Sequence, residues 1–143
     1  PVFEVWYETT PPVPTALSVA PLTPTGPANV TKDSGPTLST TVDLTSHECP
    51  DVLQLGCVEG ILSVVKAGQT TPTYTATIAA TLGGTAAPVD FVLPQGTLSD
   101  NTTYDVSVYA RNVATDTLSA TPATMTMVER CRRAWTRRSC ART

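Results

Sequence analysis

Ionic side chains are scarce in this sequence. Asp, Glu, Lys and Arg make up 15% of the 143 residues, against about a quarter in ordinary soluble domains, so something other than charge keeps the surface wet. Histidine occurs once, at His47. A lone imidazole leaves zinc without a second histidine, and a Ser-His-Asp triad would have to run through a residue whose surroundings, Thr45 to Pro50, read as a surface loop. There is no Gly-x-Ser-x-Gly elbow, no phosphate-cradling glycine loop, no His-Glu-x-x-His pair and no Arg-Gly-Asp tripeptide. No two carboxylates stand in a setting that marks a glycosidase. Asp100, Asp105 and Asp116 come nearest to a calcium-binding group, and solvated turn aspartates explain the same residues. The expectation is a protein that is not an enzyme and carries no cofactor and no metal.

Long apolar runs are missing too. Stretches such as Ile61 to Val65 are strand-sized, far below the ~18 to 20 residues of a membrane-crossing helix, so no transmembrane segment is expected. Bases are nearly absent from most of the chain. Residues 1–129 hold all 12 acids and, as bases, only Lys32, Lys66 and Arg111, a net charge of -9, while residues 130–143 carry six arginines and no acid. An acidic body excludes the basic face that nucleic-acid-binding folds present.

What is abundant is hydroxyl and proline: 27 threonines and 13 prolines. Threonine favours strands, and its hydroxyl supplies the polarity that charge does not. Four cysteines fall in two local pairs, Cys49 with Cys57 and Cys131 with Cys140. Neither pair has Cys-x-x-Cys spacing, so structural disulfides are expected, although three connectivities are open. The sequons Asn29-Val30-Thr31 and Asn101-Thr102-Thr103 mark N-glycosylation acceptors at Asn29 and Asn101. Taken together, these features predict a secreted, extracellular or cell-surface glycoprotein.

Residues 2–8, Val-Phe-Glu-Val-Trp-Tyr-Glu, alternate so that Phe3, Val5 and Tyr7 share one face and Val2, Glu4, Trp6 and Glu8 the other. That pattern predicts a strand. Prolines at 11, 12, 14, 21, 24, 27 and 36 then predict a stiff extended linker, with an edge strand possible at Ala16–Ala20, Leu17 and Val19 facing in. Period-two rows follow: Leu38, Thr40, Val42 and Leu44; a strand near Val52–Val58 and another near Ile61–Lys66; Tyr74, Ala76, Ile78, Ala80 and Leu82; Val89, Phe91 and Leu93; and Tyr104, Val106, Val108 and Ala110. In the last strand Leu118 and Ala120 are followed by Ala123, Met125 and Met127, a shift of inward parity that predicts a bulge at Pro122 on an edge. Short strands with regular turns and no helical period predict an antiparallel sandwich of two sheets.

Leu98, Thr102 and Tyr104, with Val106, Val108, Ala110 and Asn112 after them, resemble the E-to-F corner and F strand of fibronectin type III and related immunoglobulin-like domains. In that pattern a Leu precedes a Thr by four residues and a Tyr by six. The resemblance implies a tyrosine corner at Tyr104, whose hydroxyl bonds to backbone upstream. It also implies a G strand over Thr117–Val128. Such modules serve adhesion, spacing and filament building alike, so the likeness names no activity.

Four regions follow: a strand arm at 1–10, a Pro/Thr-rich linker at 11–36 with its possible edge strand, the fibronectin-like or immunoglobulin-like sandwich at 37–129, and a basic cysteine-containing tail at 130–143. The arm either folds back on its own domain or adds to a sheet edge of the next subunit as a donor strand, with Phe3, Val5, Trp6 and Tyr7 at the interface. Repeated head to tail, that contact does not close, and a helical homopolymer results. The tail, with Trp135 between its cysteines, is either solvated or grips an acidic polysaccharide, a membrane surface or the acidic body of another copy. The function expected is a structural subunit of a surface filament or matrix carrying covalent glycans. The alternative is a monomeric adhesion or carbohydrate-binding module that stacks sugars on Trp135 or Tyr109.

Overall fold

The computed structural model describes residues 12–19, 29–43, 58–80, 86–113 and 116–130. Among them there is no helix, and nine strands form two sheets. The strands are β1 (Val13–Val19), β2 (Val30–Thr31), β3 (Thr37–Asp43), β4 (Val58–Lys66), β5 (Pro72–Ala79), β6 (Ala86–Val92), β7 (Thr102–Asn112), β8 (Thr117–Leu118) and β9 (Ala123–Glu129). The narrow sheet runs β1-β3-β6; the wide one runs β2-β9-β7-β4-β5, with β8 on β7. Every pairing is antiparallel except the short parallel contact of β2 with β9.

Alternation builds the core. Ala87, Val89 and Phe91 of β6 are buried while Ala86, Pro88, Asp90 and Val92 are exposed, and Tyr104, Val106, Val108 and Ala110 form the inward row of β7. A side-chain period of two places each row on one face of its sheet. The rows meet Leu38, Val42, Leu62, Val64 and Met127 in one continuous cluster. Gly60 sits where the two sheets come into close contact. A Cβ there would lie 2.9 Å from both Phe91 Cζ and Val89 Cγ1, so the glycine lets the two sheets approach.

Three expectations change. Part of the stretch read as linker belongs to the sandwich: β1 is the margin of the narrow sheet, Pro12 and Pro14 are buried, and β2 pairs with β9. Proline is compatible with a sheet margin because only a ladder position needs its missing N–H. Leu17 is half-buried and Val19 buried. Second, β4 starts at Val58 rather than Ile61, because Val58 and Gly60 continue the inward row of Leu62 and Val64; residues 51–57 lie outside the described residues, as do Leu44 and Leu82.

Third, the final strand is two elements. Leu118 and Ala120 are exposed, and Ser119 turns inward instead. Its N–H donates to Ala110 O at 2.8 Å and its Oγ accepts from Ala110 N at 3.2 Å. The Ser119 amide meets the C=O of Ala110 and its buried hydroxyl meets the N–H, and satisfying both groups on that side of β7 outweighs the burial of one leucine. The parity shift is therefore a break between β8 and β9, with Pro122 ahead of β9.

Candidate assembly edge

A two-sheet sandwich leaves strand edges whose N–H and C=O groups lack ladder partners, and proteins commonly blunt them with proline, charge, bulges or cover. Three of the four margins carry such a device. The outer margin of β1 has Pro12 and Pro14 and a register shift between Thr15 and Ser18, with Ala16 at φ 50°. The far end of β9 is covered by β2: Val128 N donates to Asn29 O at 2.9 Å, Arg130 N to Thr31 O at 2.8 Å, and Asn29 Nδ2 to Thr126 O at 3.1 Å. Along β6, Leu93 N donates to Pro36 O beside β3, and amide direction alternates along a strand, so Pro88 stands where an outward N–H would be.

The fourth margin is β5, where such devices are confined to the first residues: its register against β4 shifts between Pro72 and Tyr74, and from Tyr74 to Ala79 it has none of them. Its eight residues carry no charge, and its only proline, Pro72, is its first residue. Ala80 N donates to Val58 O at 2.8 Å, so the amides of Tyr74, Ala76 and Ile78 face β4, and those of Thr75, Thr77 and Ala79 face outward. On the inner face Tyr74, Ala76 and Ile78 pack against the core yet are only half-buried. The narrow sheet ends at β6, so nothing among the described residues completes their cover.

The outer face of the wide sheet is hydroxyl-rich. Thr75, Ser63, Ser107 and Thr124 form one row across four strands. Tyr109 is exposed and lies opposite Ile61 in the register. At one end Arg111 bonds Glu59 through Nε at 3.2 Å and again through NH2, and reaches Asp116 at 3.4 Å. The Glu59 hydrogen bond and charge raise the already high guanidinium pKa further.

Of the residues singled out in the sequence, Leu98 and Tyr104 are buried and Thr102 is half-buried. Ser99 N donates to Tyr104 Oη at 2.8 Å, and Thr102 Oγ1 donates to Asp100 O at 3.2 Å. Asn29 and Asn101 are both exposed and stand at the same end of the sandwich, beside the last residues of β9; Asn101 has φ 53°. The three aspartates do not converge. Asp105 accepts from Thr126 Oγ1, Asp116 from Arg111, and no metal-binding group of His, Cys, Asp or Glu occurs among the described residues. Phe3, Val5, Trp6 and Tyr7, all four cysteines, His47 and Trp135 lie outside the described residues. Likewise among the described residues, no helix is long and apolar enough to cross a membrane.

Sequence reading passed over Glu129. It is 3% exposed, faces inward at the end of β9, and accepts from Asn101 N at 3.2 Å. Burial pushes its pKa up, the Asp100 charge adds to the rise, and the Asn101 bond opposes both. The signal was available: Glu129 continues the parity of Ala123, Met125 and Met127. Compared with known proteins, the chain matches no family model and no curated protein.

Proposed function

We propose that this chain is a non-enzymatic extracellular building block, a fibronectin-like or immunoglobulin-like module that polymerises by strand addition between subunits. The observation that carries this reading is the unblocked edge of β5, with its half-covered inner row of Tyr74, Ala76 and Ile78. An uncharged edge of high β-propensity, regular from Tyr74 to Ala79, is a template for another chain. The alternating residues 2–8 supply a strand of matching pattern. The module assignment is supported by the order β1-β3-β6 facing β9-β7-β4-β5 and by the Ser99–Tyr104 bond at the corner before β7. A secreted setting is supported by exposed sequons at Asn29 and Asn101 and by the paired spacing of the cysteines. Electron microscopy of the purified chain beside a variant lacking residues 2–8 tests the reading. Filaments from the full chain and folded monomers from the variant are expected; filaments that survive the deletion refute it.

A second reading rests on Tyr109. An exposed ring beside Ile61, bordered by rows of hydroxyls, suits a sugar face, so the alternative is a monomeric carbohydrate-binding or adhesion module. Saturable glycan binding by monomers, lost in Tyr109→Ala or Trp135→Ala, would decide for it.

A further inference from the structure

From the geometry of β5 we infer that its free edge receives residues 2–8 of a second copy, antiparallel, in the register where paired residue numbers sum to 81. The inference rests on the strand-addition reading above and adds the acceptor, the direction and the pairing.

Register follows from parity. The outward amides of β5 past its register shift belong to Thr75, Thr77 and Ala79. Facing residues of an antiparallel pair share a side of the sheet. A sum of 81 therefore sets Phe3, Val5 and Tyr7 over the half-buried Ile78, Ala76 and Tyr74. The same register sets residues 2–8 along residues 73–79, and pairs Trp6, Glu4 and Val2 with the three outward amides of Thr75, Thr77 and Ala79. None of those three is proline, so the ladder from Thr75 to Ala79 is complete, about six hydrogen bonds. A shift by one residue would turn Phe3, Val5 and Tyr7 to solvent. Glu8 then lies at the Thr73 end of β5, next to the exposed Lys66 at the end of β4.

Distance decides that the arm comes from another molecule. Val13 of β1 pairs with Asp43, at the end of the sandwich where β4 begins at Val58 opposite Asn112. Thr73 is at the other end, with Lys66, Tyr104 and the Thr37–Val92 pair. β1 packs on β7 and β9, whereas β5 packs beside β6, so the two strands also lie at opposite margins. Glu8 seated by Thr73 would be about 20 Å along the strands from its own Val13, and about as far across them. The five Cα steps between Glu8 and Val13 extend to ~17 Å at most. A chain's own arm cannot make this pairing.

The same geometry sets the polarity of the polymer. The arm leaves the Val13 end of the donor and enters the acceptor at its Thr73 end, so opposite ends meet and each acceptor is free to donate onward. Head-to-tail contacts of this kind do not close. With β7 at 11 residues, the sandwich is ~37 Å long, and an axial repeat of about 35–40 Å is expected.

Cysteine trapping tests the pairing in the full chain. Val5 and Ala76 form a pair without mutual ladder bonds, with Cα atoms ~4.5 Å apart, within disulfide reach. Val5→Cys and Ala76→Cys chains expressed together should give a linked dimer under oxidation that neither variant gives alone. Thr75→Pro should stop filaments while the monomer stays folded. A dimer from Ala76→Cys alone would mean that β5 pairs with itself, and a link from Val5→Cys to Val92→Cys would move the acceptor to β6; each overturns the inference. So does the persistence of filaments in Thr75→Pro, or failure of the linked dimer to form, when deletion of residues 2–8 abolishes filaments. Filaments that survive that deletion refute strand addition itself.

Discussion

The backbone N–H of Ser99 donates to the hydroxyl of Tyr104, five residues later, at 2.8 Å. This bond holds the corner between β6 and β7, and Leu98 is pinned beside it by a bond from its N–H to Ser34 O at 2.9 Å. The ring of Tyr104 is 1% exposed, so the hydroxyl contributes through this bond while the ring contributes through burial.

Tyr104→Phe keeps the ring and orphans the Ser99 amide. A lost bond to a part-buried donor costs about 1–2 kcal/mol, which urea denaturation should register as a lower midpoint with an unchanged slope. Tyr104→Ala should cost about 3–5 kcal/mol, the range for removing a large core aromatic.

Gly60→Ala should destabilise in spite of alanine's better strand entropy. The added methyl meets Phe91 and Val89 at 2.9 Å, and overpacking a filled core costs about 1–3 kcal/mol. Pairing it with Val89→Ala should recover less stability than the space suggests if the Phe91 ring cannot move; the double variant's melting temperature measures this coupling.

The pH dependence of stability should carry the mark of Glu129. Its folded pKa is raised by burial and by Asp100, so protonation favours the folded state. The contribution is therefore present below the ordinary glutamate pKa and lost as pH rises through the raised one. Glu129→Gln retains an acceptor for Asn101 N and removes the charge. The variant should melt higher than the parent at neutral pH, with the difference closing in acid below the ordinary glutamate range. A difference independent of pH would show that the carboxylate's charge is not the cause.

The direction of amides on β5 can be checked without any assembly. Thr75→Pro removes an outward N–H and should leave folding stability within about 1 kcal/mol. Ala76→Pro removes a donor to β4 and should cost more than the ~1 kcal/mol of one ladder bond. Equal losses from the two substitutions would contradict the orientation set by the Ala80–Val58 bond.

Much of the strand pattern was legible in the residues. The rows Ala87-Val89-Phe91 and Tyr104-Val106-Val108-Ala110 are strict alternations with polar or exposed neighbours, and a period of two has one physical solution, a sheet with one buried face. The Leu98–Thr102–Tyr104 spacing located the corner before β7. Less legible were places where a polar contact overrules hydrophobic parity. Ser119 turns inward to serve Ala110, leaving Leu118 exposed, and β1 lies in a proline-rich stretch because a sheet margin leaves some amide positions unused.

The amino-acid sequence by itself determined the all-β class, which side of most strands faces the core, and the contrast between an acidic body and a basic tail. Those properties are local: alternation and charge are read from neighbours in the chain. Which strands end each sheet, which edges are blocked, and that Glu129 and Asp100 come together were decided by tertiary structure alone. Edge and centre depend on pairing between residues far apart in sequence, such as Glu59 with Arg111 or Thr102 with Glu129, and no local pattern encodes which strand will be left without a neighbour.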